Sequence, residues 1–116
     1  MNNPSGWELN FQAEIQSARD ARDRGNEGKA RVCARRAAGI VANQYFLRQG
    51  LSYPSGSALE QLKRLRELHD LPPRVSKVIE HFIVRITPEH RLPIEADLVA
   101  EAAWLRKVLI DESYLE

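Results

Sequence analysis

The stretch E-G-K-A-R-V-C-A-R-R-A-A-G-I-V-A-N-Q-Y-F-L-R-Q-G, from Glu27 to Gly50, decides the fold. Ala30, Ala34, Ala37, Val41 and Tyr45 recur at spacings of four and three, so they share one face of a helix. Cys33, Ala38, Ile40 and Phe46 flank that stripe. The seam begins almost wholly as alanine, which lets a neighbouring axis approach toward the short end of the usual range of about 8–10 Å. Gly39 in mid-helix costs roughly 1 kcal/mol against alanine. The spacing therefore predicts a close helix contact at that point. Gly50 closes the helix in the way glycine ends helices generally.

Upstream, Trp7, Phe11, Ile15, Ala18 and Ala21 repeat with the same period and predict a helix from about Trp7 to Arg24, with Leu9 off its apolar face. Gly25-Asn26 separates the two helices. Downstream, Ser52-Tyr53-Pro54-Ser55-Gly56 has the composition of a loop. Ser57 and Glu60 have the spacing of a capping box, followed by Leu59, Leu62, Leu65 and either Leu68 or His69. Asp70-Leu71-Pro72-Pro73 ends that short helix, because proline cannot donate the helical hydrogen bond. Pro73 is suited to the first turn of the next helix, where Val75, Val78, Ile79, Phe82 and Ile86 keep helical spacing. Thr87-Pro88 and Leu92-Pro93 bracket a link. The last helix is expected from about Pro93 to Asp111, with Ile94, Leu98, Ala102, Leu105 and Leu109 on one side and Trp104 and Val108 widening the stripe. No stretch alternates with period two. The expectation is an all-α fold: an antiparallel up-and-down bundle of four main helices plus a short one, with residues 7–112 as a single domain, residues 1–6 extended or disordered and 113–116 a tail.

At 116 residues the chain is sized for one core. Its 43% hydrophobic and 28% charged residues set it apart from disordered sequences. No apolar run reaches the roughly 20 residues of a spanning helix, and the first residues lack a signal-peptide pattern. A lone cysteine, Cys33, excludes an internal disulfide and fits a cytoplasmic setting. The net charge of +1 hides an asymmetry. Between Arg19 and Arg48 stand eight bases and three acids, whereas from Ile94 onward six acids face two bases. Such a distribution suits a polyanion or an acidic partner, or lets basic and acidic helices lie side by side.

Residues fit for chemistry are few. His69, His81 and His90 belong to no metal motif, and no phosphate loop or nucleophile elbow occurs, so no metal or cofactor is expected. Arginine precedes histidine at short range three times, as Arg64…His69, Arg74…His81 and Arg85…His90. An arginine holding a phosphate and a histidine moving a proton together suit RNA cleavage through the 2′-hydroxyl. Each pair also has a plain structural reading. His69 sits at a helix C-terminus, His81 is placed for boundary packing beside Phe82, and Arg85 is at the rim of the bundle. Tyr45, Tyr53 and Trp104 are candidates for stacking on bases, but Tyr45 and Trp104 lie on apolar stripes and only Tyr53 is in a loop.

The order of elements resembles a known family. The stretch A-R-D-A-R-D-R-G-N-E-G-K-A-R-V-C-A-R-R-A-A-G-I-V-A-N-Q-Y-F-L-R-Q-G, Ala18 to Gly50, is similar to the first helical pair of HEPN domains: a helix, a small-residue turn, and an Ala-rich helix ending in glycine before a loop. The leucine-bearing segment from Ser57 to His69 resembles the family's short third helix. His81-Phe82-Ile83-Val84-Arg85, a proline-containing link and the last helix resemble its ending. The resemblance implies one of two activities. Some HEPN proteins are metal-independent, often toxin-like endoribonucleases whose R-x4-6-H motif meets its copy across a homodimer; Arg85 and His90 come nearest the motif's usual place. In the ribonucleases a polar residue usually follows the arginine, whereas here Ile86 does and Pro88 interrupts. Others are non-catalytic and associate with a small nucleotidyltransferase or bind nucleotides. The second branch is the first expectation here, with a homodimer as the assembly and Arg31, Arg35, Arg36 and Tyr53 as the nucleotide-, RNA- or polyanion-binding set. A regulatory module that docks a protein on the basic face of the first two helices is the reading that needs no family.

Overall fold

Three residues end one helix and begin the next. In the computed structural model, which describes residues 6–51, 56–68, 70–84 and 96–112, α1 spans Gly6–Asp23 and α2 spans Glu27–Arg48. Gly25 adopts φ +77°. Its N–H donates to Arg22 O at 2.9 Å and that of Asn26 to Ala21 O at 2.8 Å, the paired bonds of a Schellman stop. The Asn26 side chain then accepts from Lys29 N at 3.1 Å and caps α2. With so short a link and contacts along both helices, α1 and α2 form a hairpin. Gly50, at φ +70°, repeats the device after α2, with Leu51 N donating to Phe46 O at 2.9 Å.

The helix α2 is the axis of the fold. It packs against α1, the third and fifth helices and the C-terminal turn. The expected stripe is buried, and so are Cys33, Ala38, Gly39, Ala42 and Phe46, so most of the circumference is inside. The close contact predicted at Gly39 is made with α3 (Ala58–Arg66). A Cβ on Gly39 would lie 2.6 Å from Ala58 Cβ and 2.8 Å from its Cα. The start of α3 is fixed by Ser57, whose hydroxyl accepts from Glu60 N at 3.2 Å. Leu62 and Leu65 are fully enclosed.

Pro73 occupies the first turn of α4 (Pro73–Ile83), as expected, and Val75, Ile79 and Phe82 are buried. The last helix starts later than the sequence predicts. The described part, α5, spans Leu98–Arg106 because Asp97, accepting from Ala100 N at 3.2 Å, takes the N-cap. Beyond Arg106 the backbone widens into a π-helical turn, Lys107–Asp111, closed by Glu112 N to Lys107 O at 2.9 Å. Val108, Leu109 and Ile110 are all buried there. Three consecutive residues of an α-helix span about 200° of its circumference, so the chain at this point has core on more than one side. One hydrophobic cluster draws on every helix and on the π turn. No strand occurs among the described residues, and no described helix is long and apolar enough to cross a membrane.

Candidate functional site

Two arginines of the hairpin hold the last two helices in place. Arg35 Nε on α2 donates to Phe82 O at 2.9 Å, satisfying a carbonyl that the end of α4 leaves free. Arg22, at the end of α1, forms a two-pronged pair with Glu27 at 3.0 and 2.9 Å and reaches Asp97, the cap of α5, at 3.1 Å. The Arg22 hydrogen bond holds the Glu27 carboxyl below the usual carboxylate range. The Glu27 pair, against an opposing effect of burial, holds the Arg22 guanidinium above its ordinary value. Burial acts to raise Asp97, but the Ala100 N–H and Arg22 outweigh it, and its carboxyl also lies low.

So fixed, α4 and α5 enclose a cleft of about 570 Å³ lined by Arg74, Lys77, Val78 and His81 from α4 and Ala100, Glu101 and Trp104 from α5. The α4 residues follow helical spacing on the face turned away from Val75, Ile79 and Phe82. The volume falls within the range of about 300–1,000 Å³ of small-molecule sites. His81 Nδ1 lies 2.9 and 3.0 Å from the two oxygens of Glu101, and both side chains are about four-fifths buried (20% and 21% exposed). A carboxylate on Nδ1 fixes the orientation of the ring. The Arg74 guanidinium stands 5.4 Å from the centre of the Trp104 ring. Glu80, the single acid of α4, is paired with Arg66 at 3.1 Å. The cleft thus combines two cations, an oriented imidazole and an aromatic surface.

The chain matches no protein-family model, no curated protein and no solved structure. Its chemistry is therefore argued from its own residues.

Of the residues singled out in the sequence, Tyr53, Arg85 and His90 lie outside the described residues, as does His69. Arg31, Arg35 and Arg36 all lie on α2, in different surroundings. Arg35 is engaged with Phe82 O, and Arg36 lines a separate groove with α1 and α3 residues. Arg31 is half-buried and its charge helps to lower Glu27. Tyr45 belongs to the core, and burial, helped by Asp70, pushes its phenol up. Cys33 is buried and free. Among the described residues no three histidine, cysteine or acidic side chains gather as a metal site.

His81 is half-buried at the boundary and Trp104 packs against the core, as their spacing predicts, and both also line the cleft. The available signal was Arg74 followed seven positions later by His81, two turns along one helix face. Glu101 carried no such signal, since it meets His81 from twenty residues away across the link.

Proposed function

We propose that the α4–α5 cleft binds a nucleotide, free or as a unit of single-stranded RNA, and that the chain is a HEPN-like, non-catalytic interaction domain. The supporting observation is that Arg74, Lys77 and Trp104 line the same cleft. Guanidinium and ammonium groups recognise phosphate oxygens, and an indole supplies a surface on which a base stacks. The test is a titration of the intact protein with labelled single-stranded RNA and with AMP at several salt concentrations. Replacing Arg74 and Lys77 by alanine is expected to weaken binding at least about tenfold and to flatten its salt dependence. Trp104→Leu is expected to weaken it while keeping that slope. Unchanged affinity in the double variant would remove the cleft from consideration.

The His81–Glu101 pair favours a second reading, metal-independent RNA cleavage. Arg74 and His81 have the R-x6-H spacing within one cleft, so Arg74 would hold the scissile phosphate and His81 Nε2, oriented by Glu101, would take the 2′-hydroxyl proton as that oxygen attacks phosphorus. The P–O5′ bond breaks, the 5′-oxygen takes a proton from water and a 2′,3′-cyclic phosphate is left. Cleavage of RNA in EDTA that disappears in His81→Ala supports it; an intact substrate after prolonged incubation discards it and leaves the binding reading in place. The HEPN-type antiparallel arrangement, a homodimer and association with a small nucleotidyltransferase belong to the same proposal, and a monomer by light scattering counts against it. Docking of a protein on the basic face of the hairpin has less support, because Arg22, Arg35 and Arg48 are engaged within the fold.

A further inference from the structure

A second depression, of about 390 Å³, lies where α1, α2 and α3 meet and shares no residue with the α4–α5 cleft. Gln61 is among its lining residues. That side chain is buried, at 6% exposure, and its Oε1 is enclosed with no hydrogen-bond partner among the described residues. An acceptor left in this state keeps the full cost of its lost hydration. The neighbours Leu62 and Leu65 are buried on the same helix without such a cost. A polar side chain at this place is accounted for when a polar group arrives from the groove. The remaining polar lining is Asn10 from α1 and Arg36, Asn43 and Gln44 from α2, with Trp7 as the aromatic wall.

We propose that this groove binds a small, uncharged planar ligand with an amide-type edge, an N–H beside an acceptor, and that Gln61 reads that edge. Four carboxamides converge here, and each offers a donor and an acceptor side by side, the complement of such an edge. Among the described residues no carboxylate lines the groove, and the single guanidinium there, Arg36, is exposed. The ligand therefore needs no charge of its own, and Arg36 remains open to an attached phosphate. The last torsion of glutamine is broad and roughly two-fold, so the amide swings to meet either partner. A volume at the low end of ligand sites suits one ring system better than a polymer. The Gly39–Ala58 contact forms part of the groove surface and keeps it close to the backbone. Nucleobases and nicotinamide are the ready sources of this edge.

Thermal unfolding and calorimetry of the intact protein with adenosine, inosine, AMP and nicotinamide distinguish these sources. At least one of them is expected to raise the melting temperature saturably, with Kd at or below about 1 mM. Gln61→Met, close in shape, is expected to leave the ligand-free protein as stable as wild type or more so, and to lose at least about tenfold in affinity. Asn43→Ala, at an exposed position, is expected to weaken binding without touching the core, and Arg36→Ala to weaken AMP alone. Arg74→Ala is expected to lower only the AMP response, through the cleft, and to leave adenosine, inosine and nicotinamide unchanged, which separates the groove from the cleft. Binding by none of the four ligands overturns the proposal, as does equal binding by Gln61→Met. A Gln61→Met protein less stable than wild type also overturns it, by showing the amide to be satisfied within the fold.

Discussion

Gly39 shows how one missing methyl group positions an element. An alanine there gains roughly 1 kcal/mol of helix propensity, but its Cβ would stand 2.6 Å from Ala58 Cβ. Neither partner is the mobile end of a long side chain, so α3 itself must shift, and overpacking of this kind costs about 1–3 kcal/mol. Gly39→Ala is therefore expected to destabilise the protein by up to about 2 kcal/mol, read as a lower urea midpoint at unchanged slope. Ala58→Gly in the same chain is expected to restore part of the loss. The restoration is incomplete, because Ala58 Cα, at 2.8 Å from the added Cβ, still collides. A Gly39→Ala protein more stable than wild type by the full gain in helix propensity, about 1 kcal/mol, would show that α3 does not lie against α2 at this point.

At the scale of elements, Asp97 joins local and distant order, since it caps α5 and also receives Arg22. The two roles separate by substitution. Asparagine keeps the cap and loses the charge; alanine loses both. With Arg22 and Asp97 side chains 36% and 54% exposed, the ion pair is screened and contributes at most about 0.5 kcal/mol, whereas the cap contributes about 1 kcal/mol. Asp97→Ala is expected to cost about 1.5 kcal/mol at pH 7 and Asp97→Asn about 0.5. The folded-state values of Glu27 and Asp97 are both depressed. The stability they contribute is thus full above the unfolded carboxylate range of about 4 and is lost as the pH falls through the folded values. Wild type and Asp97→Asn are accordingly expected to draw together only as the pH falls below the ordinary carboxylate range, through the depressed folded value of Asp97, in urea titrations; equal losses for Asn and Ala at pH 7 would deny the cap. The same residue marks what the sequence made legible. Helices were readable because their signals are local: the Ala30–Tyr45 stripe, Gly25, Ser57 and Pro73 each sit within a few positions of the boundary they set. The start of α5 is ambiguous in sequence because Pro93 and Asp97 are both good helix openers, and the reach of Arg22 from the hairpin adds to the cap at Asp97. The cleft was half legible. Arg74 and His81 share a periodicity, but the Glu101 partner and the exposure of Trp104 depend on how two helices meet, which no spacing within either one records.

At the scale of the molecule, the uneven charge of the chain is largely resolved inside the fold. Bases of the first half reach acids and carbonyls of the second: Arg22 to Asp97, Arg35 to Phe82 O and Arg48 to Ile110 O. Arg106 makes the reverse connection from α5 to α1. Its guanidinium lies 5.1 Å from the Trp7 ring centre and 5.2 Å from that of Phe11, with Glu8 at 3.5 Å and Asp111 at 3.4 Å. The Asp111 contact is charge attraction without a directed hydrogen bond, since Arg106 Nε is enclosed and unbonded. What holds α1 to α5 here is the flat cation against two rings, about 0.5–2 kcal/mol by the general strength of such contacts, together with its hydrogen bond to Glu8. A lysine carries the same charge as a compact, strongly hydrated ammonium and cannot cover both rings. Methionine fills the aliphatic volume, pairs its sulfur with aromatic edges and removes the unbonded Nε. Arg106→Lys is expected to lose about 1–2 kcal/mol in urea unfolding, and Arg106→Met to stay within about 1 kcal/mol of wild type despite losing the charge. The opposite order, with lysine tolerated and methionine not, would mean that net charge toward Glu8 and Asp111, rather than the shape of the guanidinium, joins the first helix to the last.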